Sequence, residues 1–263
     1  MRKMMAGTGW KMNNSVAETL RYAETLAAWS AGRDLSALDL FVLPPFTSLH
    51  AARTALSNTP VAIGGQNMHW DASGGWTGEI SAAMLCEAGC RYVELAHSER
   101  LQHFGETYAA VRKKLDTAMH AGLTPILCLG ETAPEKAAGR ADAVLEAQVL
   151  TALAGQGAKH IPDVVLAYEP RWAIGGAEAA TPDYIAERHG RLRETLHAHY
   201  GKAAAARTRI LYGGSVTPEN GPAILAVEDV DGLFVGRAAW QAEGFIRIIE
   251  VVADAARTRR PQG

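Results

Sequence analysis

The chain has 263 residues, 48% of them hydrophobic, and its 26 basic and 28 acidic side chains give a formal net charge of −2. This length predicts one domain over residues 1–263 with a full hydrophobic core, and the near-neutral charge argues against nucleic acids and membrane surfaces as partners. Because three cysteines cannot all pair, and because we see neither a signal-like N-terminal segment nor an apolar run long enough to span a bilayer, we expect a cytoplasmic protein.

Short apolar segments alternate with longer amphipathic or alanine-rich segments along the chain. The short segments have the length and β-branched content of buried strands, and they span residues 4–9, 39–43, 61–65, 92–96, 125–129, 164–168, 209–212 and 232–235. After the fourth of them, Val111, Leu115 and Ala118 recur at helical spacing, which predicts a helix packed on the sheet. Eight such units predict an α/β fold, a single-domain (β/α)8 barrel with a parallel eight-stranded core.

A doubly wound open sheet is the structural alternative to a closed barrel. That fold favours a glycine-rich dinucleotide loop after its first strand. The sequence at this place, Gly7-Thr8-Gly9-Trp10-Lys11, is not such a loop, and the pattern therefore favours the barrel.

The C-terminal ends of the strands in such a barrel form one mouth, where the chemistry takes place. Lys11 follows the first predicted strand, His97 the fourth and Glu169 the sixth. Each alone has an ordinary structural explanation: a solvent-reaching lysine, a hydrogen-bonded turn histidine and an acid that caps a helix. Their joint placement predicts one site, in which a carboxylate base and a histidine electrophile abstract a proton next to a carbonyl.

The last two strand ends carry Gly213-Gly214-Ser215 and Gly236, where these barrels often bind phosphate through backbone N–H groups, although Gly-Gly is also common in tight turns. Lys11 adds positive charge for an anionic substrate. Pro170 ends the sixth strand, and a loop of small residues follows. This pattern predicts a movable lid, formed by Pro170, Arg171, Trp172, Ala173, Ile174, Gly175 and Gly176.

We find no spacing of metal ligands in the sequence, and we expect neither a metal ion nor a cofactor. Cys86 and Cys90 stand four positions apart, which indicates packing in the core. His197 and His199 lie in a helical pattern and are typical of a polar helix end.

Seven stretches, in one order along the chain, resemble the triosephosphate isomerase family: WKMN, QN, TGEIS, HSER, CLGE, AYEP with WAIG, and YGGSV. The resemblance implies a proton transfer through a cis-enediol(ate) on a short phosphorylated ketose or aldose. It implies that Glu169 is the base, that His97 is a neutral electrophile, and that Lys11 holds the substrate and stabilises the enediolate charge.

The resemblance also implies supporting residues and a partner. Glu99 would position Lys11, and Cys128 of the CLGE stretch is assigned a supporting role. The family is homodimeric, and a loop over residues 68–77 would reach the neighbour's mouth. The residues implied to contact the substrate or its phosphate are Gly9, Lys11, Gly175, Ser215, Gly236 and Arg237, and those implied for the dimer loop are Trp70, Trp76 and Thr77.

Several positions depart from the usual family pattern. Gly9 stands where the family has asparagine, Arg171 where it has a small apolar residue, and Arg237 where it has glycine. The stretches GTGWKMN, QNMHW, WTGEIS and GLFVGRAAW are similar to the L-erythrulose-1-phosphate isomerase branch of the family. We therefore favour a four-carbon substrate.

Three other interpretations stay open. The first is an authentic triosephosphate isomerase, which interconverts D-glyceraldehyde 3-phosphate and dihydroxyacetone phosphate in glycolysis and gluconeogenesis. The second is a barrel like ribulose-phosphate epimerase, which needs a metal, and the missing ligand spacing argues against it. The third is a catalytically silent binding protein, against which the intact Lys11, His97 and Glu169 argue.

Overall fold

The computed structural model describes residues 2–175 and 179–259. Eight parallel strands follow one another around a closed barrel in sequence order, and the first strand pairs with the eighth. The strands are β1 (Met4–Gly9), β2 (Leu38–Leu43), β3 (Val61–Gly65), β4 (Tyr92–Leu95), β5 (Thr124–Leu129), β6 (Val165–Tyr168), β7 (Arg209–Tyr212) and β8 (Gly232–Val235). The predicted barrel is confirmed, every predicted strand end lies within one residue of the observed end, and the open-sheet alternative is wrong.

The helices form the outer layer and cover the apolar outer faces of the strands. Local sequence sets several of their starts, because Ser15 and Thr132 form capping boxes with Glu18 and Glu135. The helices are α1 (Val16–Ser30), α2 (Leu49–Ala55), α3 (Ala82–Glu87), α4 (Ser98–His103), α5 (Tyr108–His120), α6 (Ala133–Ala137), α7 (Ala141–Ala152), α8 (Pro182–Arg207), α9 (Gly221–Leu225) and α10 (Ala242–Arg259).

The strands divide their side chains between two cores. One core lies between the strands and the helices, and it buries the predicted helical positions Val111, Leu115 and Ala118 of α5. The other fills the inside of the barrel, and its buried members are Met5, Phe41, Leu43, Tyr92, Ile126, Cys128, Val165, Ala167, Leu211 and Phe234. Alternate residues of a strand face the same side. On each strand, the inward-facing residue nearest the C-terminal end therefore points into the mouth.

The cysteine interpretation is half wrong. Cys90 is buried, as expected, but Cys86 is exposed. The helical spacing fails because α3 ends at Glu87 and Gly89 then turns the chain at a φ of 83°, so Cys86 and Cys90 do not share one helix face. Within residues 2–175 and 179–259, no helix combines the length and the apolar character needed to cross a membrane.

Candidate active site

The mouth of the barrel holds a cavity of about 740 Å³. The ends of β1, β4, β6, β7 and β8 all contribute to its wall, so residues far apart in sequence meet in one place. The predicted site residues on its lining are Gly9, Lys11, His97, Glu99, Glu169, Gly175, Ser215, Gly236 and Arg237.

Glu169 follows the last residue of β6 and is buried. Its backbone N–H donates to Leu129 O at 2.7 Å, which extends the β5–β6 ladder and fixes the direction of the side chain. A Cβ at Gly213 would lie only 2.6 Å from Glu169 Cγ, so only glycine lets the carboxyl lie here. Burial, and then the charge of Glu94, raise the pKa of Glu169 well above its usual value, while Lys11 opposes them. A buried carboxylate with a raised pKa is a stronger base.

His97 caps the N-terminus of α4, and its two ring nitrogens have different partners. Nδ1 accepts a hydrogen bond from the backbone N–H of Glu99 at 3.2 Å, so the neutral ring carries its proton on Nε2. Nε2 lies 3.7 Å from Glu169 Oε2. Burial and the charge of Lys11 lower the pKa of His97 to about 4. At neutral pH the ring is therefore an uncharged donor aimed into the mouth.

Lys11 is held at its backbone carbonyl and at the end of its side chain. Its Nζ lies 2.6 Å from Glu99 Oε1, and its carbonyl accepts from Gln66 Nε2 at 2.9 Å. Lys11 has a φ of 53°, and Ala96, just before His97, has a φ of 63°. Such left-handed conformations cost about 1–2 kcal/mol for a residue other than glycine, so the surrounding structure maintains strain at both of these strand ends.

The predicted phosphate residues lie together on another wall of the cavity. Gly236 begins a short 3-10 helix over Arg237–Ala239, and Asn220 Nδ2 donates to Ser215 O at 3.0 Å, which holds the β7 loop. A Cβ on Gly175 would lie 3.6 Å from Arg237 Nη2. Gly175 thus lies beside the Arg237 guanidinium on a cavity wall that also includes Ser215 and Gly236, residue types that suit a phosphate dianion.

The first part of the predicted lid is anchored by a residue to which the sequence analysis gave no role, Glu131. The Glu131 carboxylate is fully buried and accepts from Trp172 Nε1 at 2.6 Å, from the Tyr184 hydroxyl at 2.8 Å and from the Tyr168 hydroxyl at 3.2 Å. Residues 171–173 form a 3-10 turn, and Gly176 lies outside the described residues. The CLGE stretch contained the signal, since Glu131 lies two residues beyond the end of β5, as His97 lies two residues beyond the end of β4.

Glu94 is the second residue that sequence reasoning missed. It lies in β4 two positions beyond Tyr92, so it points into the barrel and lines the cavity. Cys128 Sγ donates weakly to Glu94 Oε1 at 3.7 Å and to Glu169 Oε1 at 3.8 Å. Burial is the main cause that raises the pKa of Glu94 to about 8. The signal was a lone acid inside the apolar run YVELA.

Glu94, Cys128 and Glu169 also bear on the prediction that the chain has no metal site. One ligand atom from each of the three lies within 4.8 Å of the others. Residues 34 and 41 positions apart show no ligand spacing in the sequence, and the barrel alone brings them together. Burial raises the pKa of the Cys128 thiol well above its usual value, and a protonated thiol is a poor metal ligand.

The two tryptophans of the predicted dimer loop differ. The His69 ring contacts both, with its centroid 4.1 Å from that of Trp70 and 4.3 Å from that of Trp76. Trp70 is half-buried against its own barrel, where Thr117 Oγ1 donates to its carbonyl at 2.9 Å. This packing favours a structural role for Trp70 within its own chain over a role in an interface. Trp76 stays 46% exposed, and Thr77 is exposed as well.

Comparison with known proteins gives close relatives along nearly the whole chain. A family model described as triosephosphate isomerase matches residues 4–252. An L-erythrulose-1-phosphate isomerase of Rhizobium meliloti (strain 1021) is 44% identical over 254 residues, covering 96% of this chain and 98% of that protein. A protein of the same name from Mesorhizobium japonicum is 45% identical over 245 residues (92% and 94%). A triosephosphate isomerase of Herpetosiphon aurantiacus is 44% identical over 249 residues (95% and 99%).

Proposed function

Because this chain belongs to the triosephosphate isomerase family and is an isomerase of that type, we propose that its substrates are the four-carbon ketose phosphates L-erythrulose 1-phosphate and D-erythrulose 4-phosphate. The observation that carries this substrate is that Gly9 lines the cavity and has no side chain to occupy it. A Cβ there would lie 3.4 Å from Phe234 Cζ and 3.9 Å from Glu94 Oε2, which are ordinary contact distances. Where the family has an asparagine, this enzyme therefore leaves room for one more carbon and its hydroxyl.

The proposed reaction moves a carbonyl by one carbon and uses three side chains. Glu169 takes a proton from the hydroxyl-bearing carbon next to the carbonyl, and the electron pair moves to form an enediolate. His97 donates from Nε2 to the developing oxyanion, which the charge of Lys11 also stabilises. The ring then passes a proton between the two oxygens, and Glu169 returns its proton to the other carbon. Atoms and electrons balance without a cofactor.

The phosphate and the lid complete the proposal. Gly175, Ser215, Gly236 and Arg237 hold the phosphate through backbone N–H groups, and Arg237 adds its charge. The lid excludes water from the enediolate, which would otherwise lose phosphate by elimination. The supporting observation is that Gly175, at the end of the described part of the lid, lies beside Arg237.

The enzyme is proposed to act as a cytoplasmic homodimer in carbohydrate metabolism. The support is the exposed Trp76 beside Thr77, since aromatic side chains often anchor interfaces. Trp76→Ser should shift the mass in solution toward that of one chain and lower activity. Trp70→Ser is the matched control and should keep the dimer, because Trp70 packs on its own barrel. An unchanged mass for Trp76→Ser would contradict the proposed interface.

The competing substrate is a triose phosphate, which the relative from Herpetosiphon aurantiacus favours at the same 44% identity. Purified enzyme assayed with three- and four-carbon phosphates side by side decides between them. We expect a preference for the tetrulose phosphate of roughly 10- to 200-fold in kcat/KM, the usual range for one extra carbon. Gly9→Asn should reverse it in part. Turnover of glyceraldehyde 3-phosphate near about 10⁸ M⁻¹s⁻¹ with none of tetrulose phosphates would favour the glycolytic enzyme.

The same assay with a chelator tests the epimerase-like alternative. Our proposal uses no metal ion, so activity should not change when a chelator is added. A loss that added divalent metal restores would instead point to the cluster of Glu94, Cys128 and Glu169 as a metal site.

A further inference from the structure

The site contains a buried acid for which the proposed reaction has no use. Glu94 lines the cavity, yet proton transfer by Glu169, His97 and Lys11 is complete without it. In the parts of the chain that the structure describes, no lysine, arginine or histidine nitrogen lies within 4.0 Å of its carboxyl. An unpaired buried carboxyl costs free energy, so its presence in the wall of a catalytic cavity calls for a ligand group that it can bind.

The position of Glu94 relative to the base indicates which ligand group that is. Its carboxyl comes within 4.8 Å of the Glu169 carboxyl, and one thiol reaches both. In the proposed reaction Glu169 contacts the reacting carbons. A substrate carbon next to the reacting carbons is therefore within reach of Glu94.

Glu94 is the polar group beside the part of the cavity wall that Gly9 and Phe234 form. Glu94 Oε2 is 3.9 Å from where a Cβ of Gly9 would lie, and the Phe234 ring is 3.4 Å from that same point. Neither neighbour supplies a polar side chain. A hydroxyl that enters this space needs a partner, and Glu94 has one to offer, since a protonated carboxyl both donates and accepts a hydrogen bond.

We propose that Glu94 is the specificity-determining residue of this isomerase, and that its carboxyl binds the terminal hydroxyl of a four-carbon substrate in the space that Gly9 leaves open. The inference rests on the proposed tetrulose phosphate reaction. It assigns to one side chain the difference between the longer substrate and a triose phosphate. Burial raises the pKa of Glu94 to about 8, which keeps the group protonated at neutral pH.

The test uses two matched variants and three substrates. Glu94→Gln keeps a polar side chain of the same shape, and Glu94→Met keeps the length but has no hydrogen-bonding group. The substrates are L-erythrulose 1-phosphate, its analogue with a methyl group in place of the terminal hydroxymethyl group, and dihydroxyacetone phosphate. Inhibition by inorganic phosphate reports on the phosphate end, and thermal unfolding reports on the fold.

Glu94→Met should lose roughly 10- to 100-fold in kcat/KM on L-erythrulose 1-phosphate, the usual size of a lost hydrogen bond to a substrate hydroxyl. Glu94→Gln should retain most of the wild-type value. On the methyl analogue and on dihydroxyacetone phosphate, the loss in kcat/KM for Glu94→Met should be at least several-fold smaller than on L-erythrulose 1-phosphate, and phosphate inhibition should not change. Both variants should unfold at or above the wild-type temperature.

Two results would overturn the proposal, and they can be told apart. Equal losses of Glu94→Met on all three substrates, in a wild type that prefers the tetrulose phosphate, would make Glu94 a general structural residue while the proposed function stands. A wild-type enzyme that does not turn over L-erythrulose 1-phosphate would sink the proposed substrate, and the role of Glu94 with it.

Discussion

The two ends of the barrel treat buried carboxyl groups in opposite ways. At the N-terminal end, Asp231 accepts from Arg2 Nε at 2.6 Å and from Arg193 Nη2 at 3.0 Å. Asp39 lies 2.9 Å from Lys3 Nζ and 2.5 Å from Arg209 Nη1. Burial acts to raise the pKa of Asp39, but these two cations outweigh it, and the pKa is lowered.

At the mouth, burial outweighs the nearby cations in its effect on the pKa of the carboxyl groups. Glu94 and Glu169 are buried near each other and a thiol, and the pKa of each is raised, mainly by burial. The non-glycine residues of the described chain with positive φ, namely Lys11, Asn14 and Ala96, also follow strands at this end. The N-terminal end neutralises its charges and serves stability, whereas the mouth keeps unfavourable burial and strain that a bound substrate can use.

Replacing Glu169, the proposed base at the mouth, should have the largest effect of the changes that test this difference between the two ends. Glu169→Gln should lower kcat by at least 10²–10⁴-fold, because a general base contributes about that much. Stability should stay equal or rise, since an unpaired buried acid is removed. Asp231→Asn is the control at the other end, and it should lose stability while each folded molecule keeps its kcat. A Glu169→Gln enzyme with more than about a tenth of wild-type kcat contradicts the role of the base, since one decade is only about 1.4 kcal/mol.

Removing a cation at the N-terminal end should have the next largest effect. Arg193→Met leaves the buried Asp231 with one cation fewer and removes the donors to the carbonyls of Ala205 and Thr208. We expect a loss of about 3 kcal/mol in the free energy of unfolding, or a fall in Tm of roughly 6–12 °C for a chain of this size. Steady-state kinetics below the new Tm should show an unchanged kcat. A matching fall in kcat would mean that the two ends are coupled.

The pH dependence of stability should separate the two ends. Between pH 5 and 7 Glu94 is protonated in the folded enzyme, with a pKa of about 8, and ionised in the unfolded chain. Unfolding therefore releases a proton from Glu94 in this range, so raising the pH lowers the contribution of Glu94 to the free energy of unfolding, by about 2 kcal/mol from pH 5 to pH 7. In denaturant titrations, the free energy of unfolding of wild type minus that of Glu94→Gln should show this decline, because the other titrating groups are common to both proteins. Asp39, with its lowered pKa, acts in the opposite sense, and its stabilisation is lost only on acidification below its usual value of 3.8.

Relieving backbone strain at the mouth should give the smallest effect. Ala96 has a φ of 63°, which glycine adopts freely, so Ala96→Gly should stabilise the enzyme by about 0.5–1 kcal/mol after the entropy cost of glycine. Ala118→Gly, in the middle of α5, is the control and should destabilise by about 1 kcal/mol or more. A lower Tm for Ala96→Gly would show that the strain at this strand end is not relieved by glycine.

The sequence alone determined the strands and the meeting of Lys11, His97 and Glu169 at one cavity. Apolar runs that end at glycine, proline or a polar residue gave every strand within one residue, because burial and chain turns are local properties. Lys11, His97 and Glu169 could be found because each stands within two residues of a strand's C-terminal end, and parallel strands in a barrel all end at one mouth. The catalytic roles of these three residues, the roles of the phosphate residues and that of the dimer loop stay predictions.

Only the tertiary structure decided what lies opposite each of these residues. Glu94, Cys128 and Glu169 come from three different strand regions, and Glu131 meets Trp172 and Tyr184 from the lid and α8. Local sequence determines which face of a strand a side chain occupies, but barrel closure determines its neighbours across the interior. The raised pKa of Glu94 and Glu169 depends on those neighbours and on the water that they exclude, so no local pattern could have predicted it.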